Sequence, residues 1–182
     1  LNDVTMYPQY ATMMGYTEEE LIHYFGAYIQ AIARSQRGEH VTEEKVRKEI
    51  KQWYNGYRFS AAESYVYNPF SALKFLETKA PRSYWYASGT PSFLIHEISK
   101  RPEAILSFDQ LNATESQLSS LGRVDHLPLG ALMFQTGFLT IRDHVYDREE
   151  GESVYTLDFP NREVRQAFFN SLWRNWSKWT YW

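Results

Sequence analysis

The chain has 182 residues, of which 43% are hydrophobic and 17% aromatic, with a formal net charge of −3 and no cysteine. That apolar content offsets ordering entropy and excludes a disordered chain, and the length suits one domain or two small ones. The missing cysteines exclude disulfides, thiolate nucleophiles and Cys-type zinc sites, and the slightly acidic balance counts against a dedicated nucleic-acid binder.

Residues 1–16 read as irregular, with Pro8 and Gly15 as breakers. Thr17-Glu18-Glu19-Glu20 is a capping box, a hydroxyl cap followed three residues on by a carboxylate. A helix should follow it, with Leu21, Tyr24, Phe25, Tyr28, Ile29 and Ile32 on one apolar face and Gly38 beyond its end. Thr42, followed by Glu43 and Glu44, opens a second helix with acids at the positive end of its dipole. Val46, Ile50 and Trp53 form its inner stripe and Gly56 is its stop. Tyr57-Arg58-Phe59 and Tyr65-Val66-Tyr67 alternate about a polar loop, which predicts a small β-hairpin. Asn68-Pro69 starts a third helix, with Asn as cap and Pro at the first helical position, and Leu73 and Leu76 facing inward. Thr90-Pro91 repeats that device ahead of Phe93, Leu94 and Ile98. Residues 100–127 are more polar and predict one or two short helices and a linker.

From Pro128 the pattern changes. Leu129 to Phe134 reads as a short buried helix closed by Gly137. Residues 138–141 and 154–157 read as the arms of a hairpin turning through Asp147 to Glu152. Asn161 caps a last helix carrying Val164, Phe168, Leu172 and Trp176. The expected fold is therefore mainly α, of α+β type: helices with a small β-hairpin over residues 1–125, then a winged-helix-like module over 126–182. No apolar run approaches the roughly 18 residues of a membrane span, and the N-terminus lacks a basic segment before an apolar run. A cytoplasmic setting fits. The start at Leu1 and the aromatic run 178–182 read as the ends of a piece of a longer polypeptide.

The block Gln52-Trp53-Tyr54-Asn55-Gly56-Tyr57-Arg58-Phe59 is the most distinctive stretch. With residues 1–6, Gly15-Tyr16-Thr17-Glu18-Glu19-Glu20-Leu21, Tyr67-Asn68-Pro69-Phe70, Gln135-Thr136-Gly137-Phe138 and Pro160-Asn161-Arg162-Glu163-Val164, it resembles, block by block and in order, the AAA-ATPase-like family. Members are predicted bacterial P-loop ATPases commonly fused to a C-terminal PD-(D/E)XK nuclease-like domain. The resemblance implies that residues 1–16 are the tail of an ATPase core, that 17–125 form the lid, and that 126–182 lead toward the nuclease-like domain. ATP and Mg²⁺ are implied for the core alone. No G-x-x-x-x-G-K-S/T phosphate loop occurs in the chain, so the nest of N–H groups and the lysine that cradle a triphosphate are missing from it. The implied partners are the ATPase core and the nuclease-like domain of one polypeptide.

Candidate chemistry is sparse. Glu43-Glu44-Lys45 and Glu77-Thr78-Lys79 match a nuclease E-x-K spacing, but both fall in predicted helices without a partner Asp, and solvated helix charge is the simpler account. His23, His40, His96, His126 and His144 are scattered, with no H-E-x-x-H. No G-x-S-x-G elbow occurs. Arg58 is the candidate nucleotide contact, since a lid arginine can present its planar fork to a γ-phosphate of the core; the competing account is that it stacks on Tyr57 or pairs inside the lid. Arg162 and Arg165 are secondary candidates for the same task. Trp53, Tyr54, Tyr57, Phe59, Tyr65 and Tyr67 read as lid core ahead of a ligand-stacking role, with Asn55-Gly56 supplying a turn of positive φ. The alternative function is a nucleic-acid-binding adaptor, which the mixed and acidic wing of Arg142, Asp143, Asp147, Arg148, Glu149 and Glu150 disfavours. Leu172, Trp173, Trp176, Trp179 and Trp182 predict an apolar patch and self-association.

Overall fold

The computed structural model describes residues 6–35, 41–87, 92–100, 111–119 and 128–179. Helix starts follow the local capping chemistry. Ahead of α1 (Glu18–Ser35), the Thr17 N–H donates to Glu20 Oε2 at 2.9 Å and the Glu20 N–H donates to Thr17 Oγ1 at 3.2 Å. The Thr42 hydroxyl accepts from the Lys45 N–H at 3.2 Å to open α2 (Glu43–Tyr54). Asn68 Oδ1 accepts from the Ser71 N–H at 3.0 Å to open α3 (Pro69–Thr78), with Pro69 in its first turn. Each cap satisfies an N–H that the helix itself leaves unpaired.

Two short helices follow, α4 (Tyr84–Ala87) and α5 (Ser92–Ser99). The expected Thr90-Pro91 entry and the Gly38 stop lie outside the described residues, as do His40, His126 and Trp182. Strand β1 (Leu111–Thr114) runs into α6 (Glu115–Leu118), through a capping box in which Thr114 and Gln117 bond reciprocally. Then come α7 (Leu129–Gln135), β2 (Thr140–Asp147), β3 (Glu152–Asp158) and α8 (Arg162–Trp179). The three strands form one antiparallel sheet in the order β1-β3-β2. Gly151, at φ 71°, turns the β2–β3 hairpin where the sequence places it. An α+β architecture results, and no described helix is long and apolar enough to cross a membrane.

Three local expectations are corrected. Residues 111–114 are a strand and not linker; at four residues the element is too short to display an alternation. The hairpin expected at 57–59 and 65–67 reduces to one bridge, Tyr57 with Val66, because Tyr67 pairs with Tyr16 instead. On α1 and α3, Tyr24, Tyr28 and Leu73 are exposed although their phase is apolar, and Leu21, Ile29, Ile32, Ala72 and Phe75 do the packing.

Among the described residues, the buried apolar side chains other than Ala11 fall into two clusters. One gathers α1, α2 and α3 around Leu21, Ile32, Ile50, Tyr67 and Phe75. The other gathers α5, β1, α6, α7, the hairpin and α8 around Leu94, Leu118, Met133, Ile141, Leu157 and Phe168. Leu94, Ile95, Ile98, Ala113 and Leu118, which the sequence reading groups with the helical part, pack with the sheet. Trp173 on α8 is 81% exposed, while the side chains of Trp176 and Trp179 lie outside the described set.

Candidate functional site

The distinctive block sits between the two cores and belongs to both. Tyr54 packs in the helical cluster and Tyr57 in the sheet cluster; across the bridge, Val66 packs with the sheet and Tyr67 with the helices. Helix α2 ends at Asn55, an extended C-cap whose side chain accepts the Gly56 N–H at 2.6 Å. Gly56 has φ +107°, and a Cβ there would lie 2.0 Å from the Pro160 carbonyl oxygen. Glycine is therefore required twice, by backbone conformation and by the approach of the segment that leads into α8.

Arg58 continues the seam. Its N–H donates to Thr140 Oγ1 at 2.6 Å, and its carbonyl accepts from Thr140 Oγ1 at 3.0 Å and from the Ile141 N–H at 3.4 Å. The guanidinium is turned inward: Nε donates to the carbonyls of Ser60 and Ala62, Nη1 to that of Arg142, and Nη2 to that of Ala61. Only 3% of the residue is exposed. A buried cation is tolerable when several dipoles point at it, and here carbonyl oxygens substitute for a carboxylate. The fork ties the loop at 60–62 to β2, and its bonds run to backbone carbonyls where the internal account named an acid or the Tyr57 ring.

A cavity of about 840 Å³ opens at this seam, with Asn55, Gly56, Pro160 and Asn161 among its lining residues. Lys51 and Glu18 pair across one wall at 3.2 Å, and the same carboxylate oxygen accepts from the Tyr67 hydroxyl at 2.7 Å. Arg142 and Asp158 pair at 3.3 Å on another wall, where Arg142 Nη2 also donates to the Phe159 carbonyl at 2.7 Å. The wall made by α8 presents Arg162 and Arg165, both exposed; the Arg162 guanidinium lies over the Trp53 ring, 5.0 Å from its centroid. Glu19, Glu63 and the half-exposed Tyr65 complete a mixed-charge surface contacted by both cores.

The predicted motif residues thus divide. Asn55, Gly56 and Asn161 line the cavity; Trp53 braces Arg162; Tyr54 and Tyr57 fill the cores. Asn68 and Pro69 start α3, with the Asn68 N–H donating to the Tyr54 carbonyl at 2.9 Å. Gly137, at φ 80°, lies away from the cavity against Trp85. Asn161 Oδ1 caps α8 by accepting the Val164 N–H at 3.1 Å. The E-x-K acids stay on helix surfaces, Glu77 pairing with Lys74 and Glu43 with Arg47. His144 stacks on Tyr155. Among the described residues no three His, Asp or Glu side chains gather as a metal site would require.

One residue beside the site was not singled out from sequence. Glu163, in the first turn of α8, is fully buried; Oε1 accepts from the Ser71 hydroxyl at 3.0 Å and from the Trp85 N–H at 2.8 Å. Burial pushes its carboxyl up to about 7, against the pull of those two donors and of the Tyr84 backbone. The signal was in the helix phase: Glu163, Ala167 and Ser171 are spaced by four and all are buried.

Comparison with known proteins yields one informative relative. An uncharacterised protein in the vnfD 5′ region of Azotobacter chroococcum mcd 1 is 31% identical over 172 residues, a match covering 94% of this chain and 30% of that protein. The chain spans less than a third of that relative's length. No family model and no solved structure matches the chain.

Proposed function

We propose that the chain is the non-catalytic lid and winged-helix-like portion of an AAA-type ATPase, coupling the nucleotide state of an ATPase core to a C-terminal nuclease-like domain. The observation that carries this reading is the seam. The block by which the chain resembles the AAA-ATPase-like family supplies side chains to both cores at once, so a shift in one core is felt directly by the other. The coverage of the Azotobacter relative supports a segment that functions within a larger polypeptide.

The second part supports a winged-helix arrangement that begins earlier than residue 126. The order α5, β1, α6, α7, β2, β3, with sheet order β1-β3-β2, is the helix–strand–helix–helix–hairpin sequence of that class. That ordering is also what favours the nucleic-acid adaptor as a second reading. Two features weigh against it. In such modules the helix before the hairpin reads the major groove, yet in α7 all six residues from Leu129 to Phe134 are buried. The hairpin tip carries Asp147, Glu149 and Glu150 against Arg148, which repels phosphate.

The test has two arms. The isolated chain titrated with fluorescently labelled ATP and Mg²⁺ should show no saturable binding, and micromolar affinity overturns the reading. In a longer polypeptide carrying this segment, the wild type should hydrolyse ATP, and substitution at Gly56 should change hydrolysis while leaving nucleotide binding intact. Hydrolysis indifferent to Gly56 removes the coupling role.

A further inference from the structure

We propose that the seam cavity is a binding site for a short zwitterionic peptide, taking its carboxylate at Arg162 and Arg165 of α8 and its ammonium group at Glu19 and Glu63. The site is made by the chain's own side chains and stands apart from the ATPase reading.

The charges that line the cavity are only half matched. Lys51 pairs with Glu18, and Arg142 pairs with Asp158. The other lining charges are Glu19 of α1, Glu63 of the loop before Tyr65, and Arg162 and Arg165 of α8. All four are exposed. Among the described residues, the ion pairs of the cavity leave these four out. Acids and arginines thus enter from different elements, and the lining is neutral as a whole yet charged oppositely in two places.

Local stability accounts for Glu19, an acid in the first turn of α1 at the positive end of its dipole. It does not account for the arginines. Both lie in the opening turn of α8, where the dipole disfavours a cation. The Arg162 guanidinium sits over the Trp53 ring, which fixes its place without cancelling its charge. The Arg58 fork binds the carbonyls of Ser60, Ala61 and Ala62, and so fixes the stretch leading into Glu63. Both signs of charge are therefore presented from elements already held in position, which lowers the cost of ordering them around a ligand.

The charge pattern selects the ligand class. A polyanion is drawn by the arginines and repelled by two acids that nothing in the lining neutralises; a polycation meets the reverse. A ligand with one charge of each sign at its two ends satisfies both places, and a peptide with free termini has that form. The planar guanidinium fork matches a carboxylate through two parallel hydrogen bonds. Gln52 and Ser64 also line the cavity and supply donors and acceptors for a peptide backbone. At about 840 Å³ the cavity falls within the roughly 300–1,000 Å³ of small-ligand sites.

The experiment uses the whole chain. It is titrated near neutral pH and at low salt with oligoglycines of three to five residues, about 10–17 Å long when extended, while backbone amide shifts are followed by NMR. The best-binding length is then compared with its N-acetylated form, which keeps only the carboxylate, and its C-amidated form, which keeps only the ammonium. Saturable shifts are expected at Gly56 and Arg165, with each blocked peptide weaker by about fivefold, the scale of one exposed ion pair. Arg165→Ala should weaken the free and acetylated peptides and leave the amidated one unchanged. Glu63→Ala should weaken the free and amidated peptides and leave the acetylated one unchanged. No saturable shift up to about 10 mM, equal affinity for the three forms, or variants that act alike on all three overturn the site.

Discussion

Gly56→Ala tests the seam most directly. The substitution meets two costs. The first is conformational: at φ +107° an L-residue is strained, by about 1–2 kcal/mol. The second is steric. The new Cβ would lie 2.0 Å from the Pro160 carbonyl oxygen, and that atom is backbone in the segment that immediately precedes the α8 cap, so it cannot rotate away. Relief requires the two segments to part by more than 1 Å, which is on the order of a lost helix cap plus disturbed packing, about 2–3 kcal/mol. The sum is about 3–5 kcal/mol. For a chain of 182 residues this corresponds to a fall in Tm of about 10 °C. Gly151→Ala is the matched control, because that glycine also has positive φ, 71°, but a Cβ there meets nothing within 4 Å. It should cost only the conformational part, about 1 kcal/mol. Urea denaturation of the two variants, extrapolated to water, separates the terms. If the two cost the same, the approach of Pro160 does not hold the cores together and the seam argument fails.

Other perturbations probe the same region. Arg58→Met removes the fork that binds the carbonyls of Ser60, Ala61, Ala62 and Arg142, and should destabilise by about 3 kcal/mol in equilibrium denaturation; a loss below about 1 kcal/mol would show that those carbonyls find other partners. Asn161→Ala deletes the α8 cap and should cost about 1 kcal/mol, while Asn161→Asp, which keeps the acceptor, should recover most of it; equal losses for both would place the role of Asn161 elsewhere. Duplex DNA at low salt should give no mobility shift with the chain, since Leu129 to Phe134 of α7 are all buried and the hairpin tip is acidic; a shift that weakens with added salt would revive the adaptor reading.

What the sequence made legible was local. The starts of α1, α2, α3 and α8 are each set by one side chain bonding a backbone N–H three residues on, so Thr17, Thr42, Asn68 and Asn161 announce them without reference to the rest of the fold. Periodicity was less secure. Tyr24, Tyr28 and Leu73 fit an apolar phase yet are exposed, because phase reports which side of a helix is greasy and not how wide a strip the neighbours cover. The site was the least legible part, for a definite reason. Gly56 announces a turn, but the constraint that makes it irreplaceable comes from Pro160 on a distant stretch of chain. Arg58 looks like a free cation until the loop at 60–62 folds its carbonyls around it. Glu163 looks like an acid placed for a helix dipole, and only the arrival of Ser71 and Trp85 from two other helices makes it a buried acceptor. Gly56 and Glu163 obtain their roles from distant stretches of chain, which local sequence marks at most by phase, as in the buried spacing of Glu163, Ala167 and Ser171. A side chain that reads as ordinary in its own segment and proves buried and polar in the fold is therefore where the search for coupling should begin.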